Sequence, residues 1–213
     1  MDITWLGHSC FRIRGREATI VANPCPPSTG YNIGKPTADI VTISDTDESN
    51  KYVKAVAGKP VIISNPGEYE IHEAFITGIS TKGGTPDDPQ PRRNLVFIIE
   101  MEGLRICHLG SLGRSPTAEQ AEEMTGVDVL LIPVGGGDDT IDGAKAAEIA
   151  SLLEARIVVP MRFKTDVSKD SLDPPDRFLK ELGAKAGEPQ PKLSINRNTV
   201  PTETKVILLD YKR

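Results

Sequence analysis

The chain has 213 residues, with 30 acidic against 25 basic side chains and a formal net charge of −5. That balance repels a phosphate backbone and argues against nucleic acid as a partner, and no window approaches the roughly 18 consecutive apolar residues of a membrane span. Hydrophobic residues make up 38% and charged residues 26%, the profile of a folded chain, while 5% aromatic content leaves most of the core to Val, Ile and Leu.

Three short strand signals open the chain, Ile3–Leu6, Cys10–Ile13 and Ala18–Val21, with turns at Gly7–His8 and Arg14–Arg16. Asn23–Lys35 holds three prolines and two glycines and reads as a loop. Asp39–Ser44 and Val61–Ser64 are apolar runs of buried-strand length, and Phe75–Ile79 follows a turn at Pro66–Gly67. Lys82–Arg93, again with three prolines and two glycines, is the strongest breaker and suits a loop over a cleft. Strands resume at Asn94–Met101 and Leu104–His108, joined across the hairpin signal Glu102–Gly103. A helix starts at Ser115 or Thr117, where Thr117 and Gln120 offer a capping box. Val127–Pro133 reads as a buried strand, 135–137 as a tight turn, and Asp138 and Asp139 as acids near a helix start. Asp142–Ala155 is an amphipathic helix with Ala146, Ile149, Leu152 and Leu153 on one face. A strand at Arg156–Pro160, a helix at Asp173–Leu182 opened by prolines, and a strand at Lys205–Asp210 complete the order. Strands dominate first and then alternate with helices, which suits two sheets flanked by helices, with residues 1–213 as one domain.

The three cysteines, Cys10, Cys25 and Cys107, have no CxxC spacing, and the first residues lack a basic stretch followed by an apolar one. A reducing, cytoplasmic setting is the expectation.

Six strings occur in an order that resembles one family: TWLGHSCFRI at 4–13, ADIVTIS at 38–44, NPGEYEI at 65–71, GLRICHLGSLG at 103–113, DVLLIPVGG at 128–136 and IVVPMRFKTD at 157–166. Together they resemble the metallo-β-lactamase superfamily, specifically its branch of small UlaG-like, RNase Z-related metal-dependent hydrolases. The resemblance implies a four-layer αββα sandwich of the α/β (α+β) class, with the active site along one edge between the sheets. It also implies an HxHxDH motif after the ADIVTIS-type strand, whose ligands hold two metals and a bridging hydroxide.

Measured against that pattern, the ligand positions have changed. The two paired histidines are Asp45 and Asp47, the aspartate is Ser49 and the final histidine is Asn50. The histidine expected near residue 83 falls at Lys82–Gly84, the bridging aspartate is Ser111, and the last histidine is Arg162. The early DP has become Asn23–Pro24, and none of the three histidines, His8, His72 and His108, matches a ligand position. Zinc needs nitrogen or sulfur donors in suitable geometry, so the expectation is a vestigial site, no cofactor and a non-catalytic ligand-binding or assembly subunit. The alternative is a hydrolase of a small ester, lactone or phosphoester with zinc or manganese at a non-standard site around Asp45 and Asp47.

Other readings of these residues stay open. Asp45 and Asp47 can offer oxygens to a hard cation or simply form a solvated turn. Arg162 can replace the lost cation and neutralise those carboxylates, or sit on the surface. Arg114 with Arg162 can bind a small anionic ligand, with Arg92, Arg93 and Lys82 nearby on the loop, or be plain surface charge. His8 with Cys10, and Cys107 with His108, can be a dyad or a compensating metal site, though buried cysteines are more often core. His8 and His108 otherwise read as residues supporting the site, and homo-oligomerisation is an expectation drawn from the family alone.

Overall fold

In a computed structural model, the structure describes residues 1–45, 51–84, 92–137 and 139–211. Strands β1 (Asp2–Gly7), β2 (Cys10–Arg14), β3 (Thr19–Ala22), β4 (Ile40–Thr42) and β5 (Val61–Ile63) come first. Then follow β6 (Gly67–Ile71), β7 (Ala74–Lys82), β8 (Arg93–Met101) and β9 (Leu104–His108). Helix α1 (Ala118–Met124) precedes β10 (Val129–Pro133), α2 (Gly143–Leu152) precedes β11 (Ile157–Met161), and α3 (Asp176–Glu181) precedes β12 (Leu193–Ser194) and β13 (Lys205–Val206).

They form two mixed sheets, ordered β12-β1-β2-β3-β4-β5 and β13-β11-β10-β9-β8-β7-β6. Period-2 alternation explains how the first sheet is used on both faces. Ile3, Trp5, Phe11, Ile13, Ile20 and Ile40 join the large core shared with the second sheet. Leu6, Cys10, Val21 and Val41 point the other way and pack under Tyr31, Ile33, Ala38 and Val56. Helix α2 lies on β10 and against α3, covering the second sheet. This is the two-sheet α/β sandwich that the sequence strings imply, with its described helices on the second sheet. Among the described residues, the cover on the first sheet is a loop with 3-10 turns at Pro27–Thr29 and Val53–Ala55 rather than an α-helix.

Thr117 caps α1 as expected: its side chain accepts from the Gln120 N–H, and the Gln120 side chain returns the bond. Glu102 (φ 55°) and Gly103 (φ 72°) make the expected hairpin turn. Four expectations need correction. Val61 and Ile62 are about half exposed, because β5 is an edge strand and not a buried one. β6 is a strand where only a turn was expected; it pairs with β7 through a turn at His72 and Glu73, both at positive φ. Leu152 is 54% exposed, whereas Ala146, Ile149 and Leu153 are buried as expected, together with Ala147 and Ala150. The last strand is limited to Lys205–Val206, and β12 closes the first sheet unannounced.

The site follows from topology. β9, β10 and β11 run parallel, so His108, Pro133 and Met161 all end at one rim. The Leu95 N–H donates to the Ser44 carbonyl (2.6 Å), which brings the exit of β4 to the same rim. Loops leaving the carboxyl ends of parallel strands are where α/β folds place ligands.

Candidate functional site

Asp45, Gly83, Gly84, Arg92, Arg93, Ser111, Asp139 and Arg162 line a cavity of about 270 Å³ at this rim. Arg162 follows β11 directly, and its side chain is 5% exposed. It bonds through Nη1 to Ser111 Oγ (2.9 Å), and its Nη2 lies 3.5 Å from Asp139 Oδ2. Arg92 pairs with the other oxygen of the same carboxylate. Arg162 is therefore buried rather than on the surface, and the carboxylate it is seen to meet is neither Asp45 nor Asp47. The carboxylate that Arg162 meets is Asp139, 23 residues away in sequence, whereas Asp45 lines the same cavity. Asp47, Ser49 and Asn50 lie outside the described residues. Asp139 is not a helix-start acid either: Asp142 caps α2, and its side chain accepts from the Lys145 N–H.

A neutral scaffold holds this charge cluster. Asn94 is fully buried; its Oδ1 accepts from the Ser111 N–H (2.8 Å), and its Nδ2 donates to Thr81 Oγ1 and the Leu109 carbonyl. Asn23 Oδ1 accepts from the Ser44 N–H (2.8 Å) and fixes the exit of β4. Gly110 and Gly135 are required by close approach: a Cβ on the first would meet Ser44 Oγ at 2.4 Å, and one on the second would meet the Arg162 carbonyl at 2.2 Å.

Backbone strain marks the same rim. Among the described residues, seven other than glycine have positive φ. His72, Glu73 and Glu102 sit in hairpin turns, where the right-handed strand twist favours that conformation, and Glu154 follows the end of α2. His8 (φ 52°) is likewise in the β1–β2 hairpin turn, which leaves Asn23 (φ 45°) and Arg162 (φ 48°) as the strained residues at the rim. Such conformations cost about 1–3 kcal/mol each and persist where the surroundings over-determine them.

His8 is buried, with Nδ1 3.0 Å from Ser9 Oγ and Nε2 3.2 Å from Asp170 Oδ2, at ion-pair distance but off the line of a hydrogen bond. Burial pushes the His8 pKa down, and the nearby Arg162 charge adds to the effect. The His8 contact holds the Asp170 carboxyl below its ordinary value. His108 is also buried; its Nδ1 accepts from the Gly110 N–H (3.2 Å), so Nε2–H donates to the Ser9 carbonyl (2.9 Å). Both ring nitrogens serve backbone, which makes His108 a pin between the sheets and removes it as an anion contact. Burial lowers its pKa to about 4. Cys10 and Cys25 interact with each other under the first sheet, where burial raises the Cys10 thiol, and Cys107 is raised by burial to about 12. A His8–Cys10 or Cys107–His108 dyad is therefore excluded: the partners face other groups and the Cys10 and Cys107 thiols stay protonated.

Arg114 does not line the cavity, and neither does Lys82; Arg92 and Arg93 supply the charge expected of them. Asp139 and Asp170 escaped sequence reading because neither stands in a family string, and nothing local distinguishes them from other loop acids.

The family implies zinc, and the described residues do not fit it. Among them, no group of three or more His, Cys, Asp or Glu side chains converges to hold a metal ion. The one buried imidazole beside Arg162, His8, faces Asp170 and Ser9 instead, and a guanidinium cannot donate a lone pair to zinc. No described helix is long and apolar enough to cross a membrane.

A model of the "Beta-lactamase superfamily domain" matches residues 2–162. A protein of Pyrococcus furiosus named only as a UPF0173 protein is 30% identical over 85% of this chain and 90% of its own length. A Pyrococcus abyssi protein named a UPF0173 metal-dependent hydrolase is 26% identical over 87% of this chain and 94% of its own. Among solved structures, one from Thermotoga maritima, whose name places it with Zn-dependent hydrolases of the metallo-beta-lactamase superfamily, is 37% identical with a TM-score of 0.80, covering 98% of this chain and 97% of its own. Several relatives thus carry a metal in their names, against the expectation that this chain needs none. The extent of these matches makes this chain a member of the metallo-β-lactamase superfamily.

Proposed function

We propose that this chain is a non-catalytic member of the superfamily, a ligand-binding or assembly subunit whose site is organised by the Arg162 guanidinium at a position where the family pattern has a metal ligand. The observation that carries the reading is the burial of Arg162 between Ser111 and Asp139. A fixed cation there shares the Asp139 carboxylate with Arg92 and repels a second cation. Ser111 Oγ accepts from Arg162 Nη1, which commits this hydroxyl to holding the guanidinium.

A second reading is favoured by the names of the relatives: a metal-dependent hydrolase of a small ester, lactone or phosphoester, with zinc or manganese held by oxygens around Asp45 and Asp47. Elemental analysis separates the two. Protein purified without chelators is measured directly and again after dialysis against Zn²⁺ or Mn²⁺. The first reading expects less than about a tenth of an equivalent throughout. Near one equivalent, lost in the D45A variant, would overturn it in favour of hydrolysis.

A further inference from the structure

Among the described lining residues, the cavity's charges are unevenly matched. Arg92, Arg93 and Arg162 line it, against the carboxylates of Asp45 and Asp139. Arg93 donates to the Ser64 carbonyl (2.9 Å) and reaches Asn65 Oδ1 (3.5 Å), so its described partners are neutral. Arg92 and Arg162 share Asp139, one on each oxygen. The sharing is unequal: Arg92, about half exposed, makes the close contact, and Arg162, almost fully buried, makes the long one.

That order is the reverse of what desolvation demands. A buried guanidinium costs more to leave uncompensated than an exposed one. Well-made charge-assisted N–H···O bonds run at about 2.7–2.9 Å, whereas Arg162 Nη2 stands 3.5 Å from Asp139 Oδ2. Arg162 Nε is buried with no hydrogen-bond partner. Two guanidiniums closing on the two oxygens of one carboxylate are the arrangement by which proteins recognise an external carboxylate. Here the occupant is internal and stands at long range from the deeper arginine, whose charge also acts on the Asp170 carboxylate.

We propose that Arg162, Ser111 and Arg92 form a seat for one carboxylate of a small dicarboxylate, that Arg93 receives its second carboxylate, and that Asp139 is the seat's built-in competitor. The proposal rests on the metal-free reading above. The ligand carboxylate replaces Asp139 against Arg162, while Ser111 Oγ holds the guanidinium in orientation. The cavity, about 270 Å³, lies at the small end of ligand pockets, which run from roughly 300 Å³ upward, and so suits a small ligand. Asp139 then sets a threshold, since any ligand must outcompete a carboxylate already tethered to the seat.

Calorimetric titration of the full chain, after chelator treatment, with malonate, acetate and inorganic phosphate tests this. The wild type is expected to bind malonate, D139N to bind it about tenfold more tightly, and R93Q to bring malonate down to the affinity of acetate. Equal malonate affinity in wild type and D139N overturns the competitor, and R93Q without effect overturns the second carboxylate. Phosphate preferred over malonate, with the same dependence on D139N, overturns the carboxylate assignment. Absence of malonate binding at negligible metal content overturns this proposal and leaves the metal-free reading standing. Malonate binding that appears only after Zn²⁺ or Mn²⁺ loading overturns both.

Discussion

The Arg162 backbone N–H donates to the His8 carbonyl (3.3 Å), and both residues have left-handed backbone. The same carbonyl accepts from the Trp5 indole N–H (2.9 Å), so one oxygen ties the β1–β2 turn to the residue that leaves β11. Trp5 in turn packs against Phe163, with ring centroids 5.0 Å apart and ring planes tilted by 36°. The left-handed backbone at His8 and Arg162 is thus held by a bond between them and by an aromatic wedge on either side.

Strain at Arg162 is separable from its charge. R162A and R162G both remove the guanidinium, but only glycine adopts φ near +48° without penalty. R162G is expected to be more stable than R162A by about 1 kcal/mol. The readout is urea unfolding followed by the fluorescence of Trp5, the only tryptophan, which is 1% exposed in the native state. Equal stability of the two variants would mean that the surroundings do not impose the conformation.

His108 makes the fold sensitive to acid. Its native pKa is about 4, against an ordinary value of 6.5, so between those values the unfolded chain binds a proton that the native chain refuses. Stability from this group is complete above about pH 6.5 and is lost as pH falls toward 4, by about 3 kcal/mol in total. His8, also lowered by burial, acts in the same direction. Unfolding free energies measured at pH 7 and pH 4.5 are expected to differ by more in the wild type than in H108Q, where the titrating ring is gone. Parallel pH profiles would show that His108 is protonated in the native state.

What could be read from sequence was local chemistry. Thr117 and Gln120 announce their cap within four residues, and Glu102–Gly103 announces its hairpin. β6 stayed hidden although Glu68, Tyr69, Glu70 and Ile71 alternate polar and apolar, because that run is short and its turn uses His72 and Glu73 where asparagine and glycine are the usual signal. The site divided in the same way. Arg162 was found from its place in an ordered string, but its partner Asp139 comes from a loop that no periodicity connects to β11. Pairing across a rim is a product of topology, and topology is set by contacts distant in sequence.

The tight rim allows one last separation, between the cost of a backbone angle and the cost of a collision. Gly110 and Gly103 both have positive φ, 61° and 72°. A Cβ on Gly103 meets nothing within 4 Å, whereas one on Gly110 meets Ser44 Oγ at 2.4 Å and Asn94 Oδ1 at 2.6 Å. G103A therefore reports the φ penalty alone, about 1 kcal/mol. G110A adds a collision of the kind that costs about 1–3 kcal/mol more. Asn94 Oδ1 also accepts from the Ser111 N–H, so any movement that relieves the clash shifts Ser111, which holds Arg162. G110A is expected to lose both stability and malonate affinity, and G103A a little stability only. If G110A kept wild-type malonate affinity despite reduced stability, the Asn94–Ser111–Arg162 chain would not be what positions the seat.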